Sequence, residues 1–199
     1  MKVVFGFKAH SGWAALVVVG ALENGFSIVD RRRIELIDDG ELWAKQPYHT
    51  AETLEKNEAR RTVKNGIDSA HRVAICQMRD AVTRVRKLNY EIAGCAVLVP
   101  EPMPEWSTDE IRAVHFRMHK AEGVLFPDAL CRAAEKCALP LIMVREKRLM
   151  ETAEKTFARS LQSIMITVTQ LGRSVGPPWG KDQKTAALAA IIALRGNFK

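Results

Sequence analysis

The pattern of apolar and polar positions divides the first forty residues into three strands. Residues 3–7, 13–19 and 26–37 have the length and composition of strands, and the turns "AHSG" and "ENG" between them contain glycine. Connections this short join neighbouring antiparallel strands. The start of the chain therefore predicts a three-stranded antiparallel meander, which the turn "DDG" at residues 38–40 ends.

The rest of the chain alternates helical periodicity with two short apolar runs. Apolar residues recur every three or four positions between Ile67 and Leu88, which indicates one buried face of a long helix. Residues 92–100 and 139–144 are continuous apolar runs, typical of strands covered on both faces. Since helices long enough for right-handed crossovers connect them, these strands should pair in parallel beside the first strand. The pattern predicts an α/β fold with a mixed five-stranded sheet and helices on both faces.

Turn and cap residues predict where the later helices begin and end. Ser107 and Glu110 form a capping box in "STDE", which should start a helix. Gly123 and Pro127 are expected to end or kink that helix. Residues 149–172 read as one amphipathic helix.

Composition is typical of a globular protein. The 199 residues predict a single domain, residues 1–199, with 27% charged and 47% hydrophobic residues. No apolar run reaches the roughly 18 residues that a membrane span needs, so we expect no membrane association. The four cysteines form no C-x-x-C pair and lie in apolar patterns, which predicts buried free thiols and a cytoplasmic location.

The net charge of +7 and the pI of about 9.4 are compatible with DNA or RNA as a partner. Basic residues cluster at 30–33, 58–64 and 79–87, and these clusters would serve equally well as solvated faces. The candidates for phosphate contacts lie on or near the first long helix, and they are Arg60, Arg61, Lys64, Arg84 and Lys87.

The order of elements resembles the ribonuclease H-like superfamily. "GFKAHSGWAALVV" is similar to a shortened "G-x-D-x-G…G-W-A" hairpin of its Holliday-junction resolvase branch, with Lys8 where that branch has a metal-binding aspartate. "GKDQKTAALAAIIAL" is similar to the last helix of the branch, with Asp182 at an acidic position. The resemblance implies a nucleic-acid-binding, resolvase-like protein whose nuclease activity is lost or altered.

Lys8 bears on the nuclease activity of the branch that the chain resembles. Two-metal phosphodiester cleavage needs several carboxylates around the divalent ions, and an ammonium group repels such ions. The same ammonium can bind a phosphate as a point charge. The substitution therefore favours binding over cleavage.

A second candidate site lies on the helix "AVHFRMHKAEG". His115, His119 and Glu122 stand at i, i+4 and i+7 and project along one line of the helix. This spacing predicts ligands for a divalent metal (Mg²⁺, Mn²⁺ or Zn²⁺), and polar helix packing is the alternative explanation.

Further polar residues are expected near the carboxyl ends of strands one and four, where open α/β sheets bind ligands. His49 follows the third strand, and Glu101 follows the fourth. Their alternative roles are a helix start and a solvated loop carboxylate, and Asp182 would serve as the N-cap of a last helix over residues 182–194. The predicted catalytic residues are Lys8, His49, Glu101, His119 and Asp182, with His10 nearby.

Two other functions stay open on the sequence alone. The line of His115, His119 and Glu122 would suit a metal-dependent enzyme that acts on a small molecule. A non-catalytic interaction module, which forms a homodimer through a spare apolar helix face, would need no site at all.

Overall fold

The computed structural model describes residues 1–196 and contains one five-stranded sheet in the order β3-β2-β1-β4-β5. The pairs β1–β2 and β2–β3 are antiparallel, and the pairs β1–β4 and β4–β5 are parallel. The strands are β1 (Lys2–His10), β2 (Trp13–Leu22), β3 (Gly25–Glu35), β4 (Glu91–Val99) and β5 (Leu141–Arg145). The predicted mixed sheet is confirmed. The last three residues of the predicted 1–199 domain lie outside the described residues.

Seven α-helices are present in residues 1–196. They are α1 (Pro47–Thr50), α2 (Lys56–Lys87), α3 (Thr108–Arg112), α4 (His115–Lys136), α5 (Leu149–Phe157), α6 (Leu161–Leu171) and α7 (Lys181–Gly196). No helix among the described residues combines the length and apolarity that crossing a membrane would require.

Helices cover both faces of the sheet, as predicted. Alternation along β1 sends Val3, Phe5 and Phe7 to the face packed by α2 and α4. Val4 points to the opposite face, where α5, α6 and the alanine-rich α7 pack. Lys8 shares the parity of Val4, and it therefore projects on the α7 side at the carboxyl end of β1.

The hairpin between β1 and β2 has a two-residue loop. His10 pairs with Trp13, and Gly12 in the loop has a φ of +84°. A β-carbon is disfavoured at this φ, which explains the glycine. Because the loop is this short, Lys8 lies close to the hairpin end of the sheet.

Helix α4 differs from the prediction at both ends. The capping box of Ser107 and Glu110 is present, but the helix that it starts, α3, ends at Arg112. After a break at Ala113 and Val114, α4 begins at His115 and continues through Gly123 and Pro127. The expectation that Gly123 and Pro127 end the helix was wrong, because buried apolar residues on both sides of Pro127 hold α4 against the sheet.

The predicted helix over residues 149–172 is two helices. Ala158 adopts a left-handed conformation with a φ of +50°, which ends α5. Ser160 then caps α6, because its side chain accepts a hydrogen bond from the Ser163 amide at 3.4 Å. Continuous amphipathic spacing across this point concealed the break.

The four cysteines are free thiols, but they are not all buried as predicted. Cys95 and Cys131 are buried, and burial raises the pKa of each thiol to about 12. Cys76 is exposed on α2 and Cys137 is partly exposed. The apolar pattern around Cys76 therefore placed it on the wrong face of the helix.

Candidate functional site

Three histidine side chains converge beside the start of α4. His49 comes from the short helix α1, and His115 and His119 come from the first turns of α4. One ring nitrogen of each lies within 4.8 Å of the corresponding nitrogens of the other two. The ring centroid of His49 lies 5.1 Å from that of His115 and 4.6 Å from that of His119. The structure thus joins two predicted residues on α4 with one that is distant in sequence.

Glu122 holds His49 in place from behind. The Oε2 atom of Glu122 lies 2.6 Å from Nδ1 of His49, and its Oε1 atom accepts a hydrogen bond from the His49 amide at 3.1 Å. The carboxylate is almost completely buried, with 4% of its side chain exposed. Because both oxygens are engaged by His49, Glu122 does not stand beside His115 and His119 as the predicted third ligand. The third converging group is His49.

A small apolar cluster supports these side chains. Tyr48, Met118 and Ala121 are buried next to His49, His119 and Glu122 in sequence, and they pack with residues of α2 and α3. Burial, and to a lesser extent the Glu122 charge, raises the pKa of the Tyr48 hydroxyl. The histidines therefore sit on a rigid apolar base, with His115 and His119 facing solvent.

A groove of about 540 Å³ lies at the carboxyl ends of β4 and β5. It is lined by Glu101 after β4, by Glu146 and Lys147 after β5, and by Lys120 and Gly123 of α4. Carboxylates and ammonium groups thus face one concave surface. This is the edge of the sheet where open α/β folds place their ligands.

Lys8 reaches this edge from β1. Its Nζ atom lies 2.6 Å from Oε2 of Glu146, and only 15% of its side chain is exposed. Glu146 was not among the predicted residues. It directly follows β5, so the rule that selected Glu101 after β4 would have found it.

Asp182 lies in the first turn of α7 and is not the predicted N-cap, because the helix already begins at Lys181. Its Oδ1 atom lies 3.1 Å from Nε2 of His10, and the His10 ring stacks on Trp13 with centroids 4.4 Å apart. Asp182 therefore faces the hairpin end of β1.

The contacts divide the predicted site residues into three groups. Lys8 pairs with Glu146, which lines the groove together with Glu101. His10 pairs with Asp182, and the histidine cluster forms the third group. Among residues 1–196, no hydrogen bond or ion pair joins one of these groups to another. Helix α4 connects the groove to the histidine cluster, because it carries His119 of the cluster and the adjacent Lys120 of the groove.

Aromatic and basic side chains alternate along the surface beside the groove. Phe116 is 65% exposed, and the Nζ atom of Lys120 lies 5.3 Å from its ring centroid. The guanidinium of Arg117 lies 4.6 Å from the centroid of Trp106. This surface combines positive charge with rings that can stack on other rings.

Several of the α2 basic residues that were predicted to contact phosphate form ion pairs with carboxylates. Arg60 donates to Asp109 at 3.1 Å, and Lys64 pairs with Asp68. Arg84 lies 3.9 Å from Asp30. These ion pairs reduce the number of α2 cations that are free to contact a phosphate.

Solved structures with the same fold include two of RuvC from Thermus thermophilus. The complex with a Holliday junction substrate superposes with a TM-score of 0.52 and 12% identity, covering 98% of this chain and 93% of that chain. A second RuvC structure superposes with a TM-score of 0.52 and 12% identity, covering 96% of this chain and 93% of that chain. The chain thus has the RuvC-like, ribonuclease H-like fold. No protein-family model and no curated protein matches it in sequence.

Proposed function

We propose that the chain binds nucleic acid, with branched DNA as the preferred form, through the groove at the strand ends. We further propose that metal-dependent cleavage is lost or altered. The basic composition and the shared fold of RuvC, which has been solved with a Holliday junction substrate, both support this class of function. Fold alone does not assign a function, so the groove residues must support the proposal.

The ion pair between Lys8 and Glu146 is the observation that carries the proposal. A pair of divalent ions needs several free carboxylates at one point. Here the end of β1 supplies an ammonium group, and that group neutralises one of the acidic residues beside it. The strand-end residues do not fit a two-metal centre, and we assign no step to a metal there.

The same residues are suited to holding a phosphate backbone. Lys120 and Lys147 line the groove, and contacts from lysine to phosphate need no catalytic carboxylate. Phe116 and Trp106 lie beside Lys120, and an exposed ring such as that of Phe116 can stack on an unpaired base. Unpaired bases are available in single strands and where paired strands open.

A gel-shift series tests the proposal. The substrates are a four-way junction, a duplex and a single strand of equal length, each at several salt concentrations. We expect binding that weakens steeply as salt rises. The double variant Lys120→Ala/Lys147→Ala should make the negative slope of log affinity against log salt less steep by about 2, since each lysine accounts for roughly one phosphate contact.

The matched control is Lys2→Ala/Lys136→Ala. It removes the same net charge from the opposite end of the sheet, because Lys2 begins β1 and Lys136 ends the helix before β5. Equal losses in the two double variants would show that net charge matters and the groove does not. An absence of binding at low salt would refute the proposed function, and strong Mg²⁺-dependent cutting of the junction would refute the loss of cleavage.

A further inference from the structure

We propose that His49, His115 and His119 form a binding site for a transition metal of the zinc class. Glu122 would act as the carboxylate that orients His49. The site is separate from the strand-end groove and does not depend on the proposed nucleic-acid function.

The spacing of the two histidines on α4 is close to that of metal ligands. Their Nε2 atoms are 3.1 Å apart. In a tetrahedral zinc site with bonds of about 2.0–2.1 Å, two nitrogen ligands lie roughly 3.3 Å apart. The pair can therefore take a shared ion with almost no movement of α4. His49 adds the third nitrogen from a different element.

The contact between Glu122 and His49 gives His49 the form that a metal ligand needs. An unprotonated nitrogen binds the ion, and the other ring nitrogen donates its proton to a carboxylate or carbonyl. Nδ1 of His49 lies 2.6 Å from the buried Glu122 carboxylate, which leaves Nε2 as the ligand atom. The amide contact to the same carboxylate fixes the direction of the ring.

The three nitrogens also indicate the kind of metal. Imidazole ligands suit zinc, copper and nickel, whereas magnesium and calcium prefer oxygen ligands. The side chain of His115 is 64% exposed, so the fourth position of a tetrahedral ion would face water. Glu52 lies 3.9 Å from Nδ1 of His115 and stands where it could orient that ring in turn.

Titration of tag-free, chelator-treated protein with Zn²⁺ by calorimetry, and with Co²⁺ by visible absorption, tests the site. We expect one ion per chain and a tetrahedral Co²⁺ spectrum. His119→Ala should weaken binding by about 100-fold or more, and Glu122→Gln should weaken it by about 10- to 100-fold, as losses of an orienting carboxylate do. Because the His119 side chain is exposed, that variant should keep its fold, which circular dichroism checks.

His71→Ala is the matched control. His71 also contacts a carboxylate, with its Nε2 atom 3.2 Å from Oδ2 of Asp128, but it is not part of the converging trio. We expect this variant to bind Zn²⁺ as the unmodified protein does. The proposal fails if the unmodified protein binds neither ion at micromolar concentrations, or if His119→Ala and His71→Ala bind with equal affinity. Neither result would bear on the gel-shift outcome.

Discussion

Gly6 in β1 packs directly against the carbonyl oxygen of Ala186 in α7, so closely that a β-carbon at Gly6 would overlap that oxygen. Alanine side chains along α7 allow the helix to approach the sheet to this distance. The contact fixes α7, and with it Asp182, relative to Lys8 and the end of β1.

Gly6→Ala should therefore destabilise the protein by about 3 kcal/mol, because the obstructing atom belongs to a helix backbone that cannot rotate away. Urea unfolding followed by circular dichroism measures the change. Gly123→Ala is the control, since no atom lies within 4 Å of a β-carbon built there. It should raise stability by about 0.5–1 kcal/mol through its helix propensity. Equal effects from the two variants would contradict the packing of α7 on β1.

Ala138→Gly should stabilise the protein. Ala138 is exposed and has a φ of +52° just after α4, where the Leu139 amide donates to the carbonyl of Ala134 at 2.9 Å. Glycine adopts this conformation without the steric cost that alanine has. We expect a gain of about 1 kcal/mol, measured as a higher urea midpoint with an unchanged slope. A loss of stability would mean that the left-handed turn is not formed.

Asp38 should contribute to the acid sensitivity of folding. Its hydrogen bond from Arg72, at 3.1 Å, holds the pKa of the carboxyl below its usual value of 3.8, and Ser69 adds to the effect. The folded state therefore binds fewer protons than the unfolded state just below this pH. The contribution is fully present above pH 3.8 and is lost as the pH falls through the folded-state pKa.

Urea midpoints of the unmodified protein and of Asp38→Asn, compared from pH 6 down to pH 2.5, measure this contribution. The difference between them should be largest above pH 4 and should shrink as the pH falls. Other carboxylates with lowered pKa values titrate in both proteins and cancel in the comparison. A difference that is constant with pH would show that the Arg72 contact adds nothing through charge.

Lys8→Asp tests the effect of the ammonium group on metal binding. It places a carboxylate at the end of β1 and leaves Glu146 without its cation. We expect millimolar Mg²⁺ to raise the melting temperature of this variant, because an ion that binds only the folded state stabilises it. Lys8→Met should show no such increase. An equal response in both variants would mean that Lys8 does not exclude the metal.

The sheet could be predicted from the sequence because each strand combines a local apolar run with a short turn or a helical crossover. The break at Ala158 could not, since a left-handed alanine leaves no mark on an amphipathic pattern. The site was predictable only in part. His115 and His119 share one helix and one spacing rule, whereas His49 joins them through tertiary packing of α1 against α4 that no local pattern encodes.

Glu122 illustrates the same limit. Its position at i+7 from His115 predicted a place on the same line of the helix, but the sequence did not indicate that His49 would engage both of its oxygens. Glu146, by contrast, directly follows β5, so the rule that selected Glu101 after β4 would also have selected it.

Pro127 inside α4 has a consequence for the groove wall. Proline has no amide hydrogen, so the carbonyl of Gly123, four residues earlier, lacks its usual helical donor. Gly123 belongs to the stretch of α4 that lines the groove and has no side chain to cover its backbone. The wall of the groove therefore contains a point where α4 has one backbone hydrogen bond fewer than an uninterrupted helix and where no side chain covers its backbone.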